Sequence, residues 1–215
     1  MPPRLERRLI PGPVGDLQAV IEDPREPGDP QPVAFAVVCH PHPLHGGTMD
    51  NKVATTLARS FHELGVPTIR FNFRGVGTSA GSFDDGRGET DDALAAVAFG
   101  RQRWPGAGLW LAGFSFGGHV ALRATRQPGG EDAARLVTIA PAFTRYYDSP
   151  GAVPMPACPW LIVQGDADEV IPPQDVITWA RALQPSPTLV VMAGVGHFFH
   201  GRLNELREAV VAWAR

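Results

Sequence analysis

Short apolar runs alternate along the chain with segments in which apolar residues recur every three or four positions. The run at 33–39 is continuously apolar, which is typical of a strand covered on both faces. Residues 68–73 alternate instead and place Ile69, Phe71 and Phe73 on one face. Further strands are predicted at 109–114, 136–140, 160–164 and 189–192.

Helical periodicity fills the intervals between these strands. Val53, Leu57, Phe61 and Leu64 recur at helical spacing, and the pattern stops at Gly65. A second helix is predicted from the acidic residues at 90–92 towards Trp104, where negative charge suits the helix dipole. Three further helices are predicted at 119–125, 174–183 and 203–213.

This alternation of strand and helix predicts an α/β fold with a mainly parallel sheet of about eight strands and helices on both faces. One or two antiparallel edge strands are expected within 9–21, and residues 22–32 are predicted to form a surface loop. The length of 215 residues predicts one domain over 1–215. In such sheets the ligand site lies beyond the carboxyl ends of the strands.

Composition narrows the class of protein. With 44% hydrophobic and 19% charged residues, the chain is not of a disordered type. A net charge of -3 without a basic block argues against nucleic acid, and no apolar run approaches the length of a membrane span. Cys39 and Cys158 lie in apolar runs and are interpreted as small buried side chains. With no secretory signal visible at the N-terminus, the protein is predicted to be cytoplasmic.

The segment 113–117 carries the sharpest chemical signal, Gly-Phe-Ser-Phe-Gly. It follows a predicted strand directly and precedes a helical run. Small residues must flank Ser115 in such a turn, because larger side chains would collide where the strand bends into the helix. The pattern predicts a nucleophile elbow with Ser115 exposed at the top of the sheet.

A serine hydroxyl needs a base and a carboxylate, and both residue types follow Ser115 in the chain. The turn after the strand at 160–164 offers Asp166 and Asp168, and the segment after the last strand offers His197 and His200. His197 is favoured because it leaves its strand through two glycines, whereas His200 stands at the edge of the last helix. The neighbouring acidic residues Glu169 and Asp175 are expected to be solvated.

These motifs resemble those of the α/β-hydrolase superfamily over nearly the whole chain. Its G-x-x-D-x-x-[VI]-P turn corresponds to 165–172 and implies Asp168 as the catalytic acid, and its late G-H-F segment implies His197 as the base. The segments 40–47 and 70–77 are similar to those of small bacterial serine hydrolases related to dienelactone hydrolases and to the serine aminopeptidase-like branch. Unlike dienelactone hydrolases, which have cysteine at the elbow, this chain has Ser115, which favours ester chemistry.

An acyl transfer also requires hydrogen-bond donors at the developing oxyanion. One is expected from the amide of Phe116, the residue after the nucleophile. The other should come from the loop after Cys39, where the prolines lack an N–H and leave His42 and Leu44. The H-G-x turn of the superfamily favours His42, and Leu44 remains open.

Two other kinds of site are weaker interpretations. His40, His42 and His45 have an H-x-H-x-x-H spacing without the following aspartate of binuclear metal hydrolases, so no metal is predicted. The glycines at 75–77 lack the further residues of a nucleotide loop, and no cofactor is predicted. Arg70 and Arg74 beside them are expected to be structural.

The sequence therefore predicts a serine hydrolase that cleaves a small carboxylic ester or thioester through an acyl-enzyme. A peptidase or amidase of the same fold, and a non-catalytic binding scaffold, are the alternatives. Only 141–159 separate two strands where the superfamily often inserts a cap, so an open site without a cap domain is expected. The expected partner is a small molecule, with no nucleic acid and no membrane; monomer and dimer are both open. The site is expected to be lined by aromatic residues, about half of which core packing should claim: Phe114, Phe116, Phe143, Tyr146, Tyr147, Phe198 and Phe199.

Overall fold

The computed structural model describes residues 3–215, and its strands form a single eight-stranded sheet. The strand order is β1-β2-β4-β3-β5-β6-β7-β8. The first two pairings, β1 with β2 and β2 with β4, are antiparallel, and all later pairings are parallel. The strands are β1 (Arg4–Ile10), β2 (Leu17–Asp23), β3 (Ala34–Cys39), β4 (Thr68–Phe71), β5 (Gly108–Phe114), β6 (Arg135–Ile139), β7 (Trp160–Gly165) and β8 (Thr188–Met192).

Five α-helices in the described chain cover the two faces of this sheet. One apolar cluster joins the sheet to α1 and α5, and the other joins its opposite face to α2, α3 and α4. The predicted mainly parallel α/β architecture is confirmed. The helices are α1 (Lys52–Glu63), α2 (Arg87–Arg103), α3 (Phe116–Ala124), α4 (Pro173–Ala182) and α5 (Leu203–Ala214).

The N-terminal hairpin is longer than the sequence indicated. β1 begins at Arg4, and six of its seven residues are exposed. It pairs along its whole length with β2, which is largely buried. An exposed edge strand carries no apolar alternation, so the period-2 pattern that identifies strands is absent from β1.

Two helices begin earlier than the sequence predicted. The carboxylate of Glu89 accepts hydrogen bonds from the main-chain N–H groups of Asp84 (2.9 Å) and Gly86 (2.8 Å), which caps α2 at Arg87. A side chain that caps a helix adds no apolar periodicity. α3 begins at Phe116 rather than at residue 119, directly after Ser115.

The carboxyl ends of the parallel strands form the edge at which the candidate site lies. Between β6 and β7 the chain forms only two short 3-10 turns, Ala142–Arg145 and Pro150–Ala152, and residues 3–215 form no cap domain over this edge. The expectation of a lidless architecture is confirmed. Within the described residues, every helix is too short or too polar to pass through a membrane.

Candidate active site

Ser115 occupies a sharp turn between β5 and α3. Its backbone lies at φ 55° and ψ −116°, a conformation that side-chain-bearing residues rarely adopt. The flanking glycines allow this turn: a Cβ on Gly113 would overlap the main chain of Gly117, and a Cβ on Gly117 would overlap the carbonyl groups of Cys39 and His40. The predicted strand–turn–helix context of Ser115 is therefore present.

The side chains of Ser115, His197 and Asp168 form a continuous hydrogen-bonded chain. His197 Nε2 lies 3.1 Å from Ser115 Oγ, and His197 Nδ1 lies 2.8 Å from Asp168 Oδ2. Because an ionised carboxylate only accepts, the proton of the neutral ring sits on Nδ1, and Nε2 is free to accept from the serine hydroxyl. All three residues are buried, which corrects the expectation of an exposed Ser115, because only 7% of its surface is accessible.

The carboxylate of Asp168 is held by several donors. Oδ1 accepts the main-chain N–H groups of Val170 and Ile171, both at 2.8 Å, and Oδ2 also accepts Gln164 Nε2 at 3.0 Å. Burial opposes ionisation, but the hydrogen bonds from His197 and from the two amides outweigh it and hold the pKa of Asp168 below its usual value. Gln164 is a site residue that the sequence analysis missed, because a glutamine inside an apolar strand has no motif.

The neighbouring acidic residues hold the loops together. Asp166 is exposed, and its Oδ1 accepts the N–H of Gly194 at 2.6 Å. Glu169 was expected to be solvated, and the structure corrects this: its Oε2 accepts the main-chain N–H of His197 at 3.1 Å. The sequence could not show this contact, which joins residues 28 positions apart. Asp175 lies exposed in the first turn of α4.

The two candidate histidines lie in different surroundings. The structure brings His197 into contact with Ser115, whereas His200 is exposed and its ring packs 5.8 Å from that of Phe198. His197 is the histidine of this site.

The loop after β3 contains the two candidate oxyanion donors, His42 and Leu44, and the hydrogen bonds of their amides differ. The N–H of Leu44 donates to His42 Nδ1 at 3.2 Å, and the Leu44 side chain points to solvent with 69% of its surface exposed. The expectation that the Leu44 amide could serve as an oxyanion donor is therefore corrected, because this N–H already donates to His42. The N–H of His42 has no hydrogen-bond partner among residues 3–215, and the amide of Phe116 stands in the first turn of α3, where helical amides lack internal partners.

The other histidines of this loop have structural contacts. His40 is completely buried; its Nε2 accepts the N–H of Phe73 at 3.1 Å, so Nδ1–H donates to the carbonyl of Pro41 at 2.6 Å. Burial lowers the pKa of His40 to about 4, so the ring is neutral near pH 7. The rings of His42 and His45 pack 4.5 Å apart. Residues 3–215 contain no group of three or more histidine, cysteine or acidic side chains placed to hold a metal ion.

A cavity of about 220 Å³ opens over Ser115. Phe198, Phe116 and Tyr146 line it, together with His42 and Arg145. No aspartate or glutamate contributes to its wall.

Four aromatic residues predicted to line the pocket lie elsewhere, and one of them, Phe199, is fully buried in the core on the side of α1 and α5. Phe114 is fully buried and packs behind the His197 ring, with centroids 4.8 Å apart. Phe143 is also fully buried and stacks on Trp179 at 6.0 Å. Tyr147 lines a neighbouring cleft instead. Phe114 is in the core because both faces of the sheet are covered, so side chains on either face of β5 are excluded from solvent. Phe143 lies in the 3-10 turn Ala142–Arg145 and is buried by its packing against Trp160 and Trp179.

Comparison with known proteins supports this architecture. The family model for serine aminopeptidase, S33, matches residues 34–158, which is more than half of the chain. A protein of Rickettsia prowazekii, described as uncharacterized, is 33% identical over 208 residues, which cover 93% of this chain and 84% of that protein.

Two solved structures are similar in both sequence and fold. An alpha-beta serine hydrolase homologue from Coxiella burnetii has a TM-score of 0.87 and 45% identity, covering 98% of this chain and 97% of that chain. An α/β serine hydrolase without a lid, from Xanthomonas campestris, also has a TM-score of 0.87 and is 46% identical, covering 98% of this chain and 93% of that chain. Together with the family match, these relationships place the chain in the serine aminopeptidase S33 family, as a hydrolase of the lidless α/β-hydrolase type.

Proposed function

We propose that this hydrolase cleaves a small carboxylic ester or thioester through an acyl-enzyme, with Ser115, His197 and Asp168 as its catalytic triad. The observation that carries the proposal is the 3.1 Å contact between His197 Nε2 and Ser115 Oγ in a ring whose other nitrogen donates to Asp168. This geometry suits a base that must take the serine proton as Oγ attacks a carbonyl carbon.

In the first half-reaction, Ser115 Oγ bonds to the carbonyl carbon while its proton moves to His197 Nε2. The carbonyl oxygen becomes an oxyanion, which the amides of Phe116 and His42 stabilise. His197 then gives the proton to the departing alcohol or thiol, and the acyl group remains on Ser115. Asp168 stays ionised and stabilises the charged ring, for which its lowered pKa is suited.

In the second half-reaction, water replaces the alcohol as the attacking group. His197 takes a proton from the water as its oxygen bonds to the acyl carbon, and a second oxyanion forms at the same donors. When this intermediate breaks down, the proton passes from His197 to Ser115 Oγ, and the carboxylic acid leaves. The small cavity over Ser115 suits a small acyl group.

A peptidase acting at a free N-terminus is the second candidate function, and the family description favours it. The cavity argues against it. A peptide amine is positively charged at neutral pH, but the wall has no carboxylate and instead contains Arg145. An ester without a positive charge fits this wall better.

A fluorophosphonate probe tests the proposal directly, because it reacts only with an activated serine. We expect the parent protein to be labelled and the Ser115→Ala variant to be unlabelled, with turnover of p-nitrophenyl butyrate reduced by at least about a thousandfold. The exposed Ser82→Ala is the matched control and should retain labelling and turnover. Residual turnover in Ser115→Ala within about tenfold of the parent would contradict the assignment, and a parent that never reacts would favour a binding scaffold.

A further inference from the structure

A second cleft lies beside the cavity over Ser115 and has a volume of about 440 Å³. Tyr146 lines both spaces. We call this space the arginine cleft and define it by its main lining residues. These are Arg87, His119, Arg123, Arg126, Tyr146 and Tyr147.

Two polar side chains of the arginine cleft lie on helix α3, which begins directly after Ser115. His119 and Arg123 are four positions apart and therefore lie on the same face of the helix. At 1.5 Å per residue, Arg123 is about 12 Å along the helix from Ser115. Its side chain leans back towards the start of the helix, which shortens this distance.

The lining of the arginine cleft has an excess of positive charge. Three arginines face one carboxylate, that of Asp85. Arg87 pairs with Asp84 at 3.6 Å, and Arg126 donates to the carbonyl of Met155 at 3.2 Å. Arg123 is half-buried and has neither a hydrogen bond nor an ion pair from its side chain to any residue in 3–215. A half-buried guanidinium without an acceptor is suited to an anion from outside the chain.

A second, independent observation lies in the wall of the same cleft. His119 is only 1% exposed, and neither of its ring nitrogens has a hydrogen-bond partner within the described chain; the hydroxyl of Tyr147 is likewise buried and unpaired. The ring of Tyr146 stacks on His119 at 3.9 Å. Buried polar groups without partners are uncommon and destabilising in folded proteins, so their grouping here indicates a place where a ligand supplies the missing partners.

The direction of the substrate follows from the proposed reaction. The leaving oxygen must receive its proton from His197, so the alcohol part lies on the His197 side of Ser115. The acyl part then extends away from His197; Phe116 and Tyr146 line the cavity over Ser115, and Tyr146 also lines the arginine cleft.

We propose that the arginine cleft binds a carboxylate at the far end of the acyl chain, so that the preferred substrate is the half-ester of a dicarboxylic acid. The planar guanidinium of Arg123 matches a carboxylate with two parallel hydrogen bonds. His119, neutral because burial lowers its pKa to about 3, supplies one N–H to the same group. This substrate class rests on the proposed esterase function and adds a specificity site to it.

The test compares two sets of p-nitrophenyl esters with acyl chains of about four to about ten carbons, a range set by the separation along α3. One set ends in a free carboxylate and the other in its uncharged methyl ester. We expect the ratio of kcat/KM, acidic over uncharged, to reach about tenfold or more at one chain length, because charge-assisted hydrogen bonds form only in the acidic set. In Arg123→Ala this ratio should fall to about one. The control Arg59→Ala, on α1 at the opposite face of the sheet, should keep the parent ratio.

His119→Phe separates ligand binding from a structural role. Phenylalanine retains a flat ring against Tyr146 and removes two unpaired nitrogens, so the melting temperature should not fall at pH 7. The acidic-to-uncharged ratio should nevertheless fall several-fold at the preferred length. A fall in melting temperature with an unchanged ratio would assign His119 to the core and overturn its part in the site.

The specificity site and the esterase function can be contradicted by different results. If the parent hydrolyses both sets with equal kcat/KM and Arg123→Ala changes nothing, the specificity site is overturned while the esterase stands. If the parent hydrolyses neither set and does not react with a fluorophosphonate, the esterase and its specificity site are both overturned.

Discussion

The guanidinium of Arg74 lies against the carboxylate of Asp92, with Nη2 2.8 Å from Oδ1, and the side chain of Asp92 is completely buried. The main-chain N–H of Arg74 donates to the same carboxylate at 2.9 Å. The hydrogen bond to Asp92 raises the pKa of Arg74 above its usual value. This pair joins the loop after β4 to the middle of α2, so the sequence expectation of a structural role for Arg74 is confirmed.

Removal of one partner of this pair should strongly destabilise the protein. Asp92→Ala leaves the charge of Arg74 buried without its acceptor, and we expect the free energy of unfolding to fall by about 3–5 kcal/mol. Urea denaturation measures this difference. Asp91→Ala changes the exposed neighbour in the same helix and should have little effect. Equal losses in the two variants would contradict the structural role of the buried pair.

The two aspartates of the turn after β7 should differ in their effect on catalysis. Asp168→Asn places an amide next to His197 Nδ1 and favours the wrong tautomer, so kcat should fall by about 10⁴-fold. Asp166→Asn retains an oxygen that accepts the N–H of Gly194, so kcat should stay within a few-fold of the parent. Steady-state kinetics on variants of verified fold measure both values, and a larger loss of kcat in Asp166→Asn would reverse the assignment.

His119 should make the protein less stable as the pH falls. Burial lowers its pKa in the folded state to about 3, below the usual value of 6.5. Between these values the unfolded chain binds a proton that the folded protein does not, so stability is lost as the pH falls through this window. From pH 7 to pH 5 the loss from this residue is about 2 kcal/mol, taking 1.36 kcal/mol per unit of pKa shift.

In His119→Phe this contribution disappears, so the fall in unfolding free energy between pH 7 and pH 5 should be smaller than in the parent. Denaturant titrations at the two pH values measure it. The same substitution at the exposed His200 is the matched control and should leave the parent's fall unchanged. If His119→Phe showed the full parental fall, His119 would be shown not to titrate as a buried base.

For uncharged esters, kcat/KM should be highest with short acyl chains. The cavity over Ser115 measures about 220 Å³, and no cap stands over it to bury further methylenes. A buried methylene contributes about 0.8 kcal/mol, but only where a wall removes it from water. A p-nitrophenyl ester series below micelle concentrations should therefore peak and then flatten or fall beyond about six carbons. A steady rise to about twelve carbons would reveal a deep acyl tunnel instead.

The parts of the fold that follow from local chemistry were predictable from the sequence. The apolar periods of α1 and β3 reflect burial, and their predicted positions agree with the structure to within one or two residues. The capping of α2 by Glu89 and the exposed β1 were missed, since neither leaves an apolar period.

In the candidate site, too, the residues with a local sequence signal were predictable and those defined by distant contacts were not. Ser115 was recognised because glycines must stand next to it for the chain to turn, and His197 because it leaves its strand through two glycines. Phe143 was assigned to the pocket and lies in the core, because an aromatic residue has the same pattern in either place. Glu169 and His119 take their surroundings from residues distant in the sequence, and no local spacing encodes those contacts.

Gly117 has a consequence for redesigning the protein. Because it leaves no room for a side chain, the main chain at the start of α3 rests directly on the carbonyl groups of Cys39 and His40. Contact between two backbones thus helps to set the spacing between the Phe116 amide and the loop that carries His42. Replacing Val170, which also lines the cavity, would reshape the cavity wall without removing that backbone contact. The cavity wall can therefore be redesigned at this position while the backbone approach is kept, provided that position 117 remains glycine.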